Sequence, residues 1–101
     1  MYKHIVFWKI KEQETNASRQ EIIEEVKRRL DRLPAAIPEI ISYETAINIG
    51  DYGASFFDIS LISEFENKET FWKYTKYPEH DEVVAFIQSV QEDEQIVDYE
   101  I

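Results

Sequence analysis

Residues 2–10 are rich in β-branched and aromatic side chains and predict a strand. Successive side chains of a strand point to opposite faces. Tyr2, His4, Val6, Trp8 and Ile10 therefore share one face, and Lys3, Ile5, Phe7 and Lys9 the other. Both faces have apolar centres, whereas a sheet covered on one side only would show a polar face. Residues 18–33 follow a different period. Ile22, Ile23, Val26, Leu30 and Leu33 recur at three- and four-residue spacing, the stripe of an amphipathic helix. Ser18 with Glu21 fits a capping box at its start, and Glu24 with Arg28 and Glu25 with Arg29 are spaced as helix-surface ion pairs. Pro34 and Pro38 stop this helix and steer the chain into a second strand over residues 40–49.

A turn at Asp51, Tyr52 and Gly53 leads to a third strand over residues 55–65, with Phe57, Ile59 and Leu61 facing one way and Phe56 and Ile62 the other. Asn67 suits the cap of a short helix reaching Tyr74. Pro78 suits the first turn of the next helix, which carries Val83, Val84, Phe86, Ile87 and Val90 at helical spacing. Residues 95–101 alternate again and predict a closing strand, while residues 64–66 and 91–94 read as solvated edges. The order is strand, helix, strand, strand, two helices, strand. This is an α+β pattern: a ferredoxin-like split β-α-β with a four-stranded antiparallel sheet and helices on one face. The face without helices would then expose Ile5 and Phe7 with part of the third strand. Such a patch exceeds what a monomer usually leaves in water, and an identical sheet across a two-fold axis would cover it. A homodimer through the sheet face is expected.

Composition narrows the partners. The 101 residues fit one domain, 1–101, and 44% hydrophobic content suffices for a single core. Without cysteine there is no disulfide or thiolate chemistry. No signal-peptide pattern and no apolar run of the ~20 residues that span a bilayer is present, so a cytoplasmic location is expected. Twenty-one acidic against 11 basic residues give a net charge of −10. That excess repels phosphate backbones and acidic bilayers alike, so neither nucleic acid nor membrane is an expected partner.

The candidate chemistry is small. The chain has two histidines, His4 on the first strand and His80 just after Pro78, and brought together they would form a proton-exchanging pair near neutral pH. Two imidazoles fall short of the ligand set of a zinc site, so no metal and no cofactor is expected. Trp8, Trp72, Tyr74 and Phe86 can line a pocket for a planar ligand or simply pack as core. Asp58 and Asp98 lie in strands beside apolar neighbours. Hydrogen-bonding roles suit them better than catalysis, given the cost of an unpaired buried carboxylate.

Several segments carry a family likeness: residues 3–6, residues 37–40, Phe57-Asp58 with residues 63–66, residues 74–80 and residues 97–100. Together they resemble the stress-responsive A/B barrel (Dabb) family of the dimeric α+β barrel superfamily. The resemblance implies a small homodimer, most members having no known activity and a minority being enzymes such as plant polyketide cyclases. It also implies a pocket bordered by His4, His80 and Tyr74, the cyclases having a histidine at Ile59 and a tyrosine near Leu30. Many members have histidine where Tyr77 stands. The expected function is binding of a small apolar or aromatic molecule between sheet and helices, with Trp8, Ile59, Tyr77 and Phe86 as ligand contacts. The alternative is a cofactor-independent lyase, cyclase or isomerase using His4 and His80 as acid/base pair and Tyr74 as hydrogen-bond donor. A structural role remains for the histidines as well, with His80 bonded to local backbone and His4 a hydrogen-bonded core residue.

Overall fold

The computed structural model describes residues 1–101. Strand β1 (Tyr2–Ile10) is followed by helix α1 (Asn16–Leu30), the short helix α2 (Leu33–Ala36), and strands β2 (Ser42–Ile47) and β3 (Ile59–Phe65). Helices α3 (Lys68–Thr75) and α4 (Pro78–Val90) precede strand β4 (Gln91–Glu100). The four strands pair in the order β2-β3-β1-β4, all antiparallel, which is the ferredoxin-like arrangement. No helix is long and apolar enough to cross a membrane.

Helix boundaries differ from the sequence reading for local reasons. The N-cap of α1 is Thr15, whose extended backbone lets its side chain accept from the Ser18 amide at 3.0 Å. Ser18 is therefore inside the helix and does not form a cap with Glu21. Pro34 does not end α1, which stops at Leu30; it occupies the first turn of α2, where its missing N–H costs nothing. Arg28 turns to Glu25 instead of Glu24, so that Glu25 holds both Arg28 and Arg29. Asn67 caps α3 with Thr70 in a reciprocal box, and Pro78 opens α4, both as the sequence implies.

Strands β2 and β3 are shorter than expected, because residues 48–58 form a loop held by side chains. Tyr52 and Phe56 meet edge to face at 5.0 Å, and Gly50 lies so close to Phe56 that an added Cβ would sit 2.5 Å from its ring. Strand β4 is longer. It begins at Gln91, directly after α4, so residues 91–94 belong to the edge strand of the sheet, with Glu92 and Asp93 exposed and Gln91 and Glu94 half-buried.

The core lies between sheet and helices. Val6, Trp8, Ile59, Leu61 and Phe65 from the strands meet Ile23, Val26, Leu30, Phe71 and Ile87 from the helices. The residues 64–66 margin is interrupted by Phe65, which is fully buried. On the opposite face, register aligns Ile62, Ile5 and Val97 in one row across β3, β1 and β4. Phe7 and Val97 on this face are 40% and 56% exposed. The expected apolar outer face is present, with Ile62 on it and Ile59 and Leu61 turned inward.

Candidate functional site

Residue pairing between β1 and β4 builds one wall of the site. His4 lies opposite Asp98, Val6 opposite Ile96 and Trp8 opposite Glu94. Each polar residue finds its partner across the strands. His4 Nδ1 lies 2.6 Å from Asp98 Oδ1, and the Tyr2 hydroxyl donates to Asp98 Oδ2 at 2.8 Å. Because a carboxylate only accepts, Nδ1 carries the hydrogen in this contact and Nε2 is left as the second ring nitrogen. Desolvation and the Asp98 carboxylate push the Tyr2 hydroxyl up to about 12. The Trp8 indole, nearly buried, donates to Glu94 Oε2 at 2.9 Å. An indole N–H withdrawn from water needs such an acceptor.

The opposite wall comes from α3 and α4. Phe71 stacks on Tyr2 and lies 4.8 Å from the His4 ring. The Tyr74 ring stands 4.6 Å from His80 and 6.4 Å from His4, edge-on to both. The turn between α3 and α4 thus delivers His80 to the same space as the first strand. A cavity of about 210 Å³ lies between these walls, with Leu30, Leu61 and Val83 closing its apolar side and Thr75, Glu94 and Ile96 at its margin.

His4, His80, Tyr74 and Trp8 all line this cavity. Three other residues expected to contact a ligand lie elsewhere. Ile59 packs in the core and borders a separate hollow under the 48–58 loop, so Leu61 is the β3 residue that reaches the cavity. Tyr77 turns away because its hydroxyl donates to Glu39 at 2.6 Å. Phe86 lies under the Arg29 guanidinium, 3.7 Å from its ring centre, on the far side of α4. Trp72 is exposed, with the Lys76 ammonium 5.8 Å from its ring. Glu94 went unrecognised because the strand was expected to begin after it. Its signal lies in the alternation of Glu94, Ile96 and Asp98, which places all three on one face.

The two histidines differ in surroundings. His80 is 17% exposed, and its Nδ1 is buried without a hydrogen-bond partner. The Asp81 carboxylate is 3.7 Å away, too long for a hydrogen bond. Burial holds the His80 ring below the ordinary histidine value, Asp81 opposes this, and His4 adds to it. The ring is therefore not bonded to local backbone through Nδ1. Burial also raises the Tyr74 hydroxyl well above the usual tyrosine range, which keeps it a donor at neutral pH. The site thus combines a neutral imidazole, a second imidazole oriented by a carboxylate, and a protonated phenol around an apolar space. No three of the chain's His, Asp and Glu side chains are grouped to hold a metal ion.

Solved structures share the whole architecture. A dimeric ferredoxin-like protein of unknown function from Bacteroides fragilis is 28% identical, with a TM-score of 0.86 over 99% of this chain and 95% of that one. A second dimeric ferredoxin-like protein of unknown function, from Thermobifida fusca, is 24% identical with a TM-score of 0.83, over 99% and 90% of the two chains. The hydroxynitrile lyase of Passiflora edulis is 21% identical with a TM-score of 0.83, over 99% and 92% of the chains. At that identity the likeness is one of fold. No protein of curated function matches the sequence. Residues 2–101 match the model of the Stress responsive A/B Barrel Domain, Dabb, and the chain belongs to this family.

Proposed function

We propose that this protein is a homodimer that binds a compact, largely apolar or aromatic molecule between sheet and helices. One observation carries the reading. A cavity of about 210 Å³ is walled by aromatic and aliphatic side chains, with His4, Tyr74 and His80 among its lining residues. Apolar lining with a few convergent polar groups is the usual composition of a small-molecule site. An engineered apolar cavity of roughly 150 Å³ accommodates benzene, so this one suits a single ring with a small substituent. The unpartnered Nδ1 of His80 supports the same reading, since a buried polar atom without a partner is uncommon in native structures. A cytoplasmic setting, argued from the cysteine-free composition, belongs to the proposal.

Titration with benzyl alcohol, followed by amide chemical shifts, tests it. Shifts are expected at residues around His4, Tyr74 and His80, and Val84→Trp, which fills the margin of the cavity, abolishes them. Saturable shifts that survive in Val84→Trp, or none in the native chain, would refute the reading.

The dimer rests on the outer face and on the dimeric relatives. The Ile62–Ile5–Val97 row is apolar, with Ile62 and Val97 exposed and Ile5 half-buried, and isologous pairing would bury it. Val97→Glu is expected to weaken self-association by more than about tenfold in sedimentation velocity. A native chain that sediments as a monomer at micromolar concentration would overturn the proposal.

The His4–Asp98 contact favours a second reading, acid/base catalysis without a cofactor. In it His4, His80 and Tyr74 are the catalytic groups: an imidazole takes a proton and the Tyr74 hydroxyl donates to a developing oxyanion. Hydrogen–deuterium exchange at the α-carbon of a small enolisable ketone, lost in both His4→Ala and His80→Ala, would establish it. Exchange at the buffer rate would refute it.

A further inference from the structure

Strand β4 is an edge strand of the sheet, with Asp98 and Glu100 exposed and Glu94 half-buried. Its residues opposite Trp8, Val6, His4 and Tyr2 are Glu94, Ile96, Asp98 and Glu100, so three carboxylates lie on the face that meets the helices. Val97 and Tyr99 face outward instead. Charged residues are normally kept off an inner face unless something compensates them. Asp98 is compensated by Tyr2 and His4. Glu94 is compensated only in part: the Trp8 indole occupies its Oε2, and a carboxylate has about four acceptor positions.

The charge of the cavity follows from its walls. Among the lining residues Glu94 is the one carboxylate, and there is no lysine or arginine. Trp8, Phe71 and Tyr74 supply three aromatic rings, whose faces attract cations. The whole chain carries −10, which adds to the same sign. An anion placed here would leave water without meeting a lysine or an arginine.

We infer that the cavity selects an organic cation, a monocyclic aromatic amine whose ammonium group meets Glu94 while its ring packs among Trp8, Phe71 and Tyr74. This deepens the proposal of a small-molecule site and rests on it. The Trp8–Glu94 hydrogen bond orients the carboxylate before any ligand arrives, so little ordering is left for binding. The ammonium gains a charge-assisted hydrogen bond that a neutral hydroxyl of the same shape does not. Glu94 is only partly buried, so the gain is modest, about tenfold in affinity.

Three ligands of nearly equal size separate the possibilities: benzylamine, benzyl alcohol and benzoate, each titrated into the native protein at neutral pH and low salt. Benzylamine is expected to bind about tenfold tighter than benzyl alcohol, and benzoate not at all. Glu94→Gln keeps an acceptor for the Trp8 indole but removes the charge. In that variant the advantage of the amine over the alcohol should shrink to less than about twofold. Equal affinity for amine and alcohol in the native protein, or an advantage that persists in Glu94→Gln, overturns the inference while leaving the small-molecule site standing. If none of the three perturbs residues around the cavity, the underlying site proposal fails and the cation preference fails with it.

Discussion

Asp58 and Asp98 are two aspartates held against the same first strand, and their partners differ in kind. Asp58 Oδ2 accepts the Ile10 amide at 2.7 Å and pairs with the Arg19 guanidinium. Arg19 in turn donates to the Ile10 carbonyl at 2.9 and 3.2 Å. The Asp58 amide reaches the Trp8 carbonyl at 2.9 Å. Every partner of Asp58 is a backbone group or the fixed positive charge of an arginine. Asp98 instead binds a tyrosine hydroxyl and an imidazole. The first cluster fastens α1 to the end of β1; the second sets which nitrogen of a cavity-lining histidine holds the hydrogen. The Asp58 side chain is the more buried of the two, 15% against 28% exposed. The company each keeps decides whether a carboxylate beside β1 serves stability or chemistry.

Removing Asp58 should therefore give the largest loss of stability. Asp58→Ala leaves the Ile10 amide without its acceptor and strands the Arg19 charge, at a cost of about 2–3 kcal/mol in urea unfolding. Affinity for benzyl alcohol should stay within about twofold, since the cluster does not line the cavity. Asp98→Asn should cost less, about 1 kcal/mol, because a neutral acceptor remains for Tyr2. Its signature is elsewhere: the ring-nitrogen shifts of His4 should move from one dominant Nδ1–H form toward a mixture. If Asp98→Asn destabilises as much as Asp58→Ala and leaves the His4 ring unchanged, the distinction between the two clusters collapses.

Much of this contrast was legible in the sequence and part of it was not. The alternation in residues 2–10 and the stripe from Ile22 to Leu30 place β1 and α1, because burial enforces those periods, while Leu33 at the end of the stripe belongs to α2. That both aspartates would be hydrogen-bonded followed from the cost of burying a bare carboxylate. Their partners did not follow, since Asp98 meets His4 and Tyr2 only through a register set by long-range pairing. Glu94 was hidden by the direct passage from α4 into β4, with no glycine or proline to mark the boundary. Aromatic character points Phe86 toward the cavity, and the family resemblance points Tyr77 there. Glu39 and Arg29, distant in sequence, hold them elsewhere.

The His80 side of the site can be separated from both aspartates by pH. An unfolded histidine takes up its proton near pH 6.5, while burial holds the folded ring to a lower value. Between those two values the unfolded state binds more protons, so stability rises with pH and falls on acidification. Unfolding free energies measured from pH 7.5 downward should decline across this window, and His80→Phe should flatten the decline. An unchanged slope in His80→Phe would show that His80 is not its source.

The smallest effect should come from Glu25, the control for cation pairing as such. Glu25 binds Arg28 and, at 2.8 Å, Arg29, so it has more cationic partners than Asp58. It lies on the surface of α1, and neither oxygen meets a backbone amide. Water screens the pair, and long side chains lose freedom in forming it. Glu25→Ala should cost about 0.5 kcal/mol in urea unfolding, and the difference should fade in roughly 1 M salt. Asp58→Ala should lose far less of its effect to salt, because its cost includes an orphaned backbone amide that ions do not reach. Equal losses from Glu25→Ala and Asp58→Ala would mean that pairing with arginine, and not anchoring to the backbone of β1, makes Asp58 structural.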